Sequence, residues 1–191
     1  MNDIKSIDSE SLTGKLLIAN PYCSFGDVFD KAVIYIVSHS KTGAFGLIIN
    51  KQITKLSMKK LFRLSDVNIP DMEQNLFVGG PMEPERSFVL HSGEYLKNLL
   101  FKPSGEIAVS SNMEIVRDIL KGSGPKNVNI FLGYTGWASG QLEKEIENNY
   151  WLISEADNSL VFNEESNFKW HTALEKIGVE NSYFASQMGH G

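Results

Sequence analysis

The chain predicts an α+β fold built on mixed sheets. Apolar, β-branched runs crowd the first half and are separated by short turn signals rather than by helices, which favours hairpins. Helical periodicity appears only at scattered places, so the order of elements is not the regular alternation of a βαβ wind. The bulk composition, 42% apolar and 21% charged over 191 residues, is that of an ordinary globular chain with a real core. No internal repeat and no Pro/Ser-rich linker divides it, so a single domain over residues 1–191 is expected, with residues 1–11 as a flexible N-terminal tail.

Residues 14–21 read as a strand closed by the Asn20-Pro21 turn. Residues 32–37 and 44–49 are two further strands, and Ser40-Lys41-Thr42-Gly43 between them makes a hairpin. Residues 57–64 suggest a short helix with Leu61, Phe62 and Leu64 on its apolar side. Strands at 76–78 and 87–91 flank Gly79-Gly80-Pro81, which reads as a tight turn or bulge. After a strand at 106–110, Ser111-Asn112-Met113-Glu114 fits the S-x-x-E capping box, with Ser111 as cap and Gly122 as helix stop. Residues 128–132 form a buried strand and 141–149 a helix with Leu142 and Ile146 on one face. Short strands are expected at 151–153 and 160–162, around an Asp157-Asn158 turn. A last helix over about 164–177 carries the stripe Trp170, Ala173, Leu174, Ile177 and ends at Gly178.

Charge and cysteine content exclude several classes. The lone Cys23 rules out an intrachain disulfide framework. The polar, acidic N-terminus is not a signal peptide, and no apolar run is long enough to cross a membrane, so a cytoplasmic location is expected. The formal net charge of −5 is uneven. Residues 1–141 hold 15 Lys+Arg against 14 Asp+Glu, and residues 142–191 hold 3 against 9. A dedicated duplex binder carries a basic face, so direct DNA binding is not expected. Lys51, Lys55, Lys59, Lys60 and Arg63 make one basic stretch, read as a solvated helix face.

The candidate chemistry gathers at strand ends and glycine turns. Residues 133–141, Gly-Tyr-Thr-Gly-Trp-Ala-Ser-Gly-Gln, read as a strand-to-helix junction, where backbone N–H groups can meet a ligand. No lysine follows the glycines, and Glu143 and Glu145 would repel a phosphate, so this is not a simple phosphate cradle. His39 and His91 each end a strand beside a serine, where acid/base work is conceivable. The four histidines lack metal-ligand spacing, so no metal and no cofactor are expected. Serine-nucleophile motifs are missing, and Cys23 lies in a loop where exposure would make it redox-sensitive.

Several segments together resemble the YqgE/AlgH family of bacterial proteins. They are Gly14-Lys15-Leu16-Leu17-Ile18-Ala19 with Pro21, His39, Gly43-Ala44-Phe45-Gly46-Leu47-Ile48-Ile49-Asn50, Gly79-Gly80-Pro81, and Phe88-Val89-Leu90-His91-Ser92. Gly133-Tyr134, Gly136-Trp137, Gly140-Gln141-Leu142-Glu143, Glu145, Trp151 and Gly189-His190 complete the ordered set. The chain departs from the family pattern at Asp27-Val28-Phe29, at Ser38-His39 and at Asn50-Lys51-Gln52. The resemblance implies an α+β fold with a bifurcated mixed sheet, including a small closed barrel, surrounded by helices. It implies no established enzyme activity. Some members are described as transcriptional regulators of exopolysaccharide genes.

The expectation that follows is a binding or regulatory module with a loop-lined site for a small molecule or a protein partner. The site is expected at His39, Asn50, Gly79, Gly80, His91, Gly136, Trp137 and Gln141. Asn50 and Gln141 would supply amide hydrogen bonds, the glycines close backbone approach, and Trp137 a stacking face. The rival readings are an enzyme, hydrolytic or redox-linked, using His39, His91 or Cys23, and a transcription-associated regulator working through residues 51–63.

Overall fold

The structure, a computed structural model, describes residues 11–63 and 71–179. The expected tail at residues 1–10, Leu64 and the Gly189-His190 pair lie outside the described residues. The described chain runs β1 (Lys15–Ala19), β2 (Val33–Ser40), β3 (Gly43–Ile48), β4 (Gln52–Ser57), α1 (Met58–Leu61), β5 (Glu73–Val78), β6 (Met82–Ser92), β7 (Ile107–Ser110), α2 (Met113–Leu120), β8 (Val128–Ala138), α3 (Gln141–Glu147), β9 (Trp151–Glu155), a π-helical turn (Ser159–Asn163) and α4 (Lys169–Lys176).

All nine strands join one mixed sheet in the order β4-β5-β8-β3-β2-β1-β9, with β6 and β7 branching off β8. β2 and β3 form the expected hairpin, paired from Ser40–Gly43 to Ile34–Ile48. β8 is the branch point. Its first half lies between β5, parallel, and β6, antiparallel; its second half pairs with β3. The small closed barrel implied by the family resemblance is not formed. The strand path ends at β4 on one side and β9 on the other, and no pairing joins these edges among the described residues.

The glycine motifs explain how one strand serves two directions. Residues 133–138 are not a loop but the continuation of β8. Gly133 takes a left-handed φ of 69° at the point where β8 leaves β5 for β3. Gly79 and Gly80 cross it there: a Cβ on Gly79 would sit 2.3 Å from the Gly133 carbonyl oxygen, and one on Gly133 2.4 Å from that of Gly80. The segments that look like ligand loops in sequence are thus packed backbone to backbone. Gly79 also donates to the Leu132 carbonyl at 2.8 Å and accepts from the Ile48 N–H at 2.9 Å.

Helices cover the sheet in separate patches. α2 buries Ile115, Val116, Ile119 and Leu120 against Val89 and Ile130. α3 buries Leu142 beside Trp137, Trp151 and Leu17. α4 and the π-helical turn bury Trp170, Leu174, Leu160 and Val161 against Leu16, Val33 and Phe131. Each patch removes several large apolar side chains from water, roughly 1.5–3 kcal/mol apiece before entropy is counted.

Other expectations shift for local reasons. The α2 cap is Asn112, whose side-chain oxygen accepts from the Glu114 and Ile115 N–H groups at 3.0 and 3.2 Å. Ser111 instead donates to the Ser87 carbonyl, and the Glu114 carboxylate accepts from Asn98. Residues 160–162 are not a strand. Asp157 caps this segment by accepting from the Leu160 N–H at 2.9 Å, and the Glu164 N–H closes an i→i+5 bond on Ser159 at 2.9 Å. The last helix accordingly starts later, at Lys169. The basic stretch does not lie on one helix face: Lys51 precedes β4, Lys55 lies on β4, an edge strand, Lys59 and Lys60 lie in the single turn of α1, and Arg63 follows it. Charged side chains on an edge strand discourage pairing with other chains.

Candidate functional site

Where β8 ends and α3 begins, the fold opens a cleft of about 430 Å³. Its back is Thr135, Gly136 and Trp137 of β8; α3 contributes Gln141 and Glu145. Tyr150 and Trp151 close one side, and the loop between β1 and β2 closes the other with Phe25 and Phe29. The volume suits a small molecule.

The cleft is organised by Glu145. One carboxylate oxygen, Oε2, accepts from the indole N–H groups of Trp137 at 2.8 Å and Trp151 at 2.7 Å. The other, Oε1, accepts from the Gln141 side-chain amide at 3.0 Å. Gln141 in turn accepts from the Ala138 N–H at 3.0 Å, tying the start of α3 to the end of β8. Both tryptophans are buried, so their N–H groups need such a partner. Glu145 sits one helical turn from Gln141, and that spacing lets one carboxylate reach both indoles and the amide.

Three of the sequence-selected residues, Gly136, Trp137 and Gln141, therefore line one cleft. The others stand elsewhere. Asn50 accepts from the Val33 N–H and donates to the Lys31 carbonyl, both at 2.8 Å, and borders a separate depression with Lys31 and Trp170. Gly79 and Gly80 make the backbone crossing already described. His39 joins the segment just before β1 to α3: Nδ1 accepts from the Leu12 N–H at 3.1 Å, which places the proton on Nε2, donating to Glu143 at 3.0 Å. His91 is fully buried. Its Nδ1 donates to the Ser92 carbonyl at 3.0 Å, and Nε2 then accepts from the Ser110 hydroxyl at 3.1 Å. Cys23 donates weakly to the Asn149 carbonyl at 3.4 Å. His39, His91 and Cys23 thus hold three different sets of partners.

Burial holds the His91 pKa below its ordinary 6.5, against opposing contributions from the Ser92 carbonyl and Glu94. The unfolded chain therefore binds a proton at mildly acidic pH that the folded chain refuses, and stability falls as pH drops below about 6.5. We expect the His91 ring resonances to titrate with a midpoint below that of a free histidine. An NMR titration with an ordinary midpoint at His91 would contradict this assignment.

Sequence reasoning misses Phe25, Phe29, Glu145, Tyr150 and Trp151 as cleft residues. Glu145 and Trp151 are visible as motif positions, but nothing local shows that they meet. It also misses Lys169, a fully buried lysine beside a second, polar cavity of about 580 Å³ lined by Gln52, Asn75, Asn129 and Glu164. The one available signal is spacing: Lys169 lies four residues before Ala173, on the buried face of α4. Its ammonium donates to the Leu160 and Val161 carbonyls at 2.7 and 2.5 Å. Among the described residues no group of three or more His, Cys, Asp or Glu gathers to hold a metal ion, and no helix is long and apolar enough to cross a membrane.

Comparison with known proteins fits this fold. The family model described as AlgH-like matches residues 16–182. UPF0301 proteins of Rickettsia prowazekii and Rickettsia typhi are each 41% identical over 181 residues, covering 94% of this chain and 96% of the relative. The solution structure of the AlgH protein from Pseudomonas aeruginosa matches with a TM-score of 0.75 at 33% identity, covering 98% of this chain and 100% of that one. A crystal structure of protein DIP2367 from Corynebacterium diphtheriae, at 22% identity and a TM-score of 0.69 over 85% of each chain, shares the fold. On the length matched and the identity of its relatives, the chain belongs to the AlgH-like family.

Proposed function

We propose that this protein is a binding module whose ligand is a small molecule held in the cleft between the end of β8, α3 and the β1–β2 loop. One observation carries the reading. Five aromatic side chains and an oriented carboxylate converge on a concavity of ligand size, and three residues selected from sequence line it. Packing alone accounts for the buried indoles. It does not account for Tyr150, 44% exposed at the mouth of the cleft, with the partly buried Phe25 ring edge-on beside it. An exposed ring at the rim of an aromatic concavity is what an amphipathic ligand needs.

The test uses the tryptophans. Two of the three, Trp137 and Trp151, line the cleft, while Trp170 is buried elsewhere and donates to the Ala19 carbonyl. In a thermal-shift screen of metabolites, a true ligand raises Tm by mass action and moves the indole N–H resonances of Trp137 and Trp151, leaving that of Trp170 in place. Stabilising ligands that instead perturb Asn163 and Lys169 would transfer the function to the polar cavity and end this reading.

A further inference from the structure

The cleft carries a chemical preference that its shape alone does not state. We propose that it selects a small organic cation, an ammonium bearing methyl or short alkyl groups, seated among the rings and over Glu145. This rests on reading the cleft as the ligand site.

The lining holds a single formal charge, and it is negative: among its residues only Glu145 is ionisable at neutral pH, with no lysine, arginine or histidine beside it. The three donors on that carboxylate are neutral N–H groups, so they orient it without cancelling its charge. Trp137 and Trp151 turn their N–H edges to the carboxylate, and with Phe25, Phe29 and Tyr150 they line the rest of the cleft with rings whose faces are electron-rich. A cation over such faces gains from each ring quadrupole, most when water is excluded. An anion would meet a carboxylate and the negative faces together.

The ring geometry separates a compact cation from a flat one. Trp151 meets Phe29 at 83° and Trp137 at 85°, and Phe25 meets Tyr150 at 65° with centroids 6.1 Å apart. A nucleobase or other planar ligand needs two near-parallel faces as a slot. Here Phe25 is tilted at 41° to Trp151 with centroids 5.1 Å apart, and the other pairs stand at steeper angles, so no two of these paired rings are parallel and the walls suit a tetrahedral group better than a flat one. A metal ion fits poorly for a different reason. It requires several oxygen or nitrogen ligands at short range, whereas Glu145 is the one carboxylate in the lining, both its oxygens are already engaged, and the neighbouring walls are mostly aromatic. A bulky ammonium spreads its charge over methyl groups and needs no directed ligand.

The experiment compares choline with dimethylbutanol, the uncharged isostere in which a quaternary carbon replaces the nitrogen, on the full chain by NMR and tryptophan fluorescence. Choline is expected to shift the Trp137 and Trp151 indole N–H signals and to bind at least about tenfold more tightly than the isostere. Glu145→Gln should bring the two ligands close to parity. Because that variant also alters the hydrogen bonds to the indoles, its fold is checked by circular dichroism. Phe25→Leu, a loop substitution that leaves the carboxylate untouched, should independently weaken choline several-fold more than the isostere. Equal binding, or tighter binding of the isostere, overturns the cation proposal and leaves the cleft as a ligand site of apolar preference. No indole shift with choline also overturns it, and the metabolite screen then decides separately whether the cleft binds anything.

Discussion

Gly80→Ala will cost the fold about 4 kcal/mol or more, enough to lower Tm by roughly 10 °C or to prevent accumulation of folded protein. The backbone of Gly80 has a φ of 155°, a region that L side chains rarely enter. A Cβ there would lie 2.2 Å from the Tyr134 carbonyl carbon, 2.3 Å from its oxygen and 2.5 Å from the Thr135 nitrogen. These are backbone atoms of β8, so no side-chain rotation relieves the overlap. Relief requires moving β8, which is held by β3, β5 and β6 at once. Gly140→Ala is the control. Gly140 is also left-handed, at 71°, but an added Cβ meets nothing within 4 Å, so only conformational strain of about 1 kcal/mol remains. Chemical unfolding of the two variants separates the readings of the Gly-Gly motif. If Gly80→Ala lies within about 1 kcal/mol of the parent protein, the close crossing is wrong and a ligand-cradle role for these glycines returns.

That contrast shows where the sequence is readable and where it is not. The β2–β3 hairpin is legible because local chemistry decides it: a β-branched run, a turn rich in small polar residues, then Gly43. The stretch from Gly133 to Ala138 is misleading because its glycines answer a tertiary need. β8 must bend between partners on opposite sides, and glycine is required at the bend and at the segment crossing it. β4 escapes notice because it is a polar edge strand whose lysine-bearing sequence has no apolar alternation. The run Leu160-Val161-Phe162 is ambiguous in principle, since three consecutive apolar residues do not distinguish a strand from a buried helical turn.

The candidate site divides in the same way. Trp137 and Gln141 are legible because they flank a strand-to-helix boundary, a place where side chains converge. Phe25 and Tyr150 are not, because their meeting depends on how the β1–β2 loop folds back over β9. Glu145 shows how a correct observation leads to only half of its meaning. Its carboxylate does argue against a bound phosphate, yet its role is to gather two indoles more than ten residues apart in the chain.

Lys169 carries the second large effect, and its sign is set by pH. Burial pushes its ammonium down from the ordinary 10.5 to about 8, with the Glu164 charge acting in the opposite direction. Two carbonyls of the π-helical turn accept from it, but no carboxylate is hydrogen-bonded to it among the described residues. Below pH 8 both folded and unfolded chains hold the proton, and the fold bears the full cost of a desolvated charge. Between about 8 and 10.5 the unfolded chain keeps a proton that the folded chain has released, so rising pH stabilises the fold across that window. From pH 7 to about pH 10 the gain is about 2 to 3 kcal/mol. The range stops there because Tyr35 and Tyr95, both raised to about 12 chiefly by burial, oppose the trend at higher pH. Lys169→Met removes the titrating group while filling the same space. Its loss of two hydrogen bonds shifts stability by an amount that hardly depends on pH. The difference in unfolding free energy between parent and variant should therefore move by about 2 to 3 kcal/mol in favour of the parent as pH rises from 7 to about 10. A difference that stays flat would mean that the lysine remains charged in the fold. The polar cavity would then have to supply the compensation, through water or through Glu164, that the two carbonyls alone do not provide.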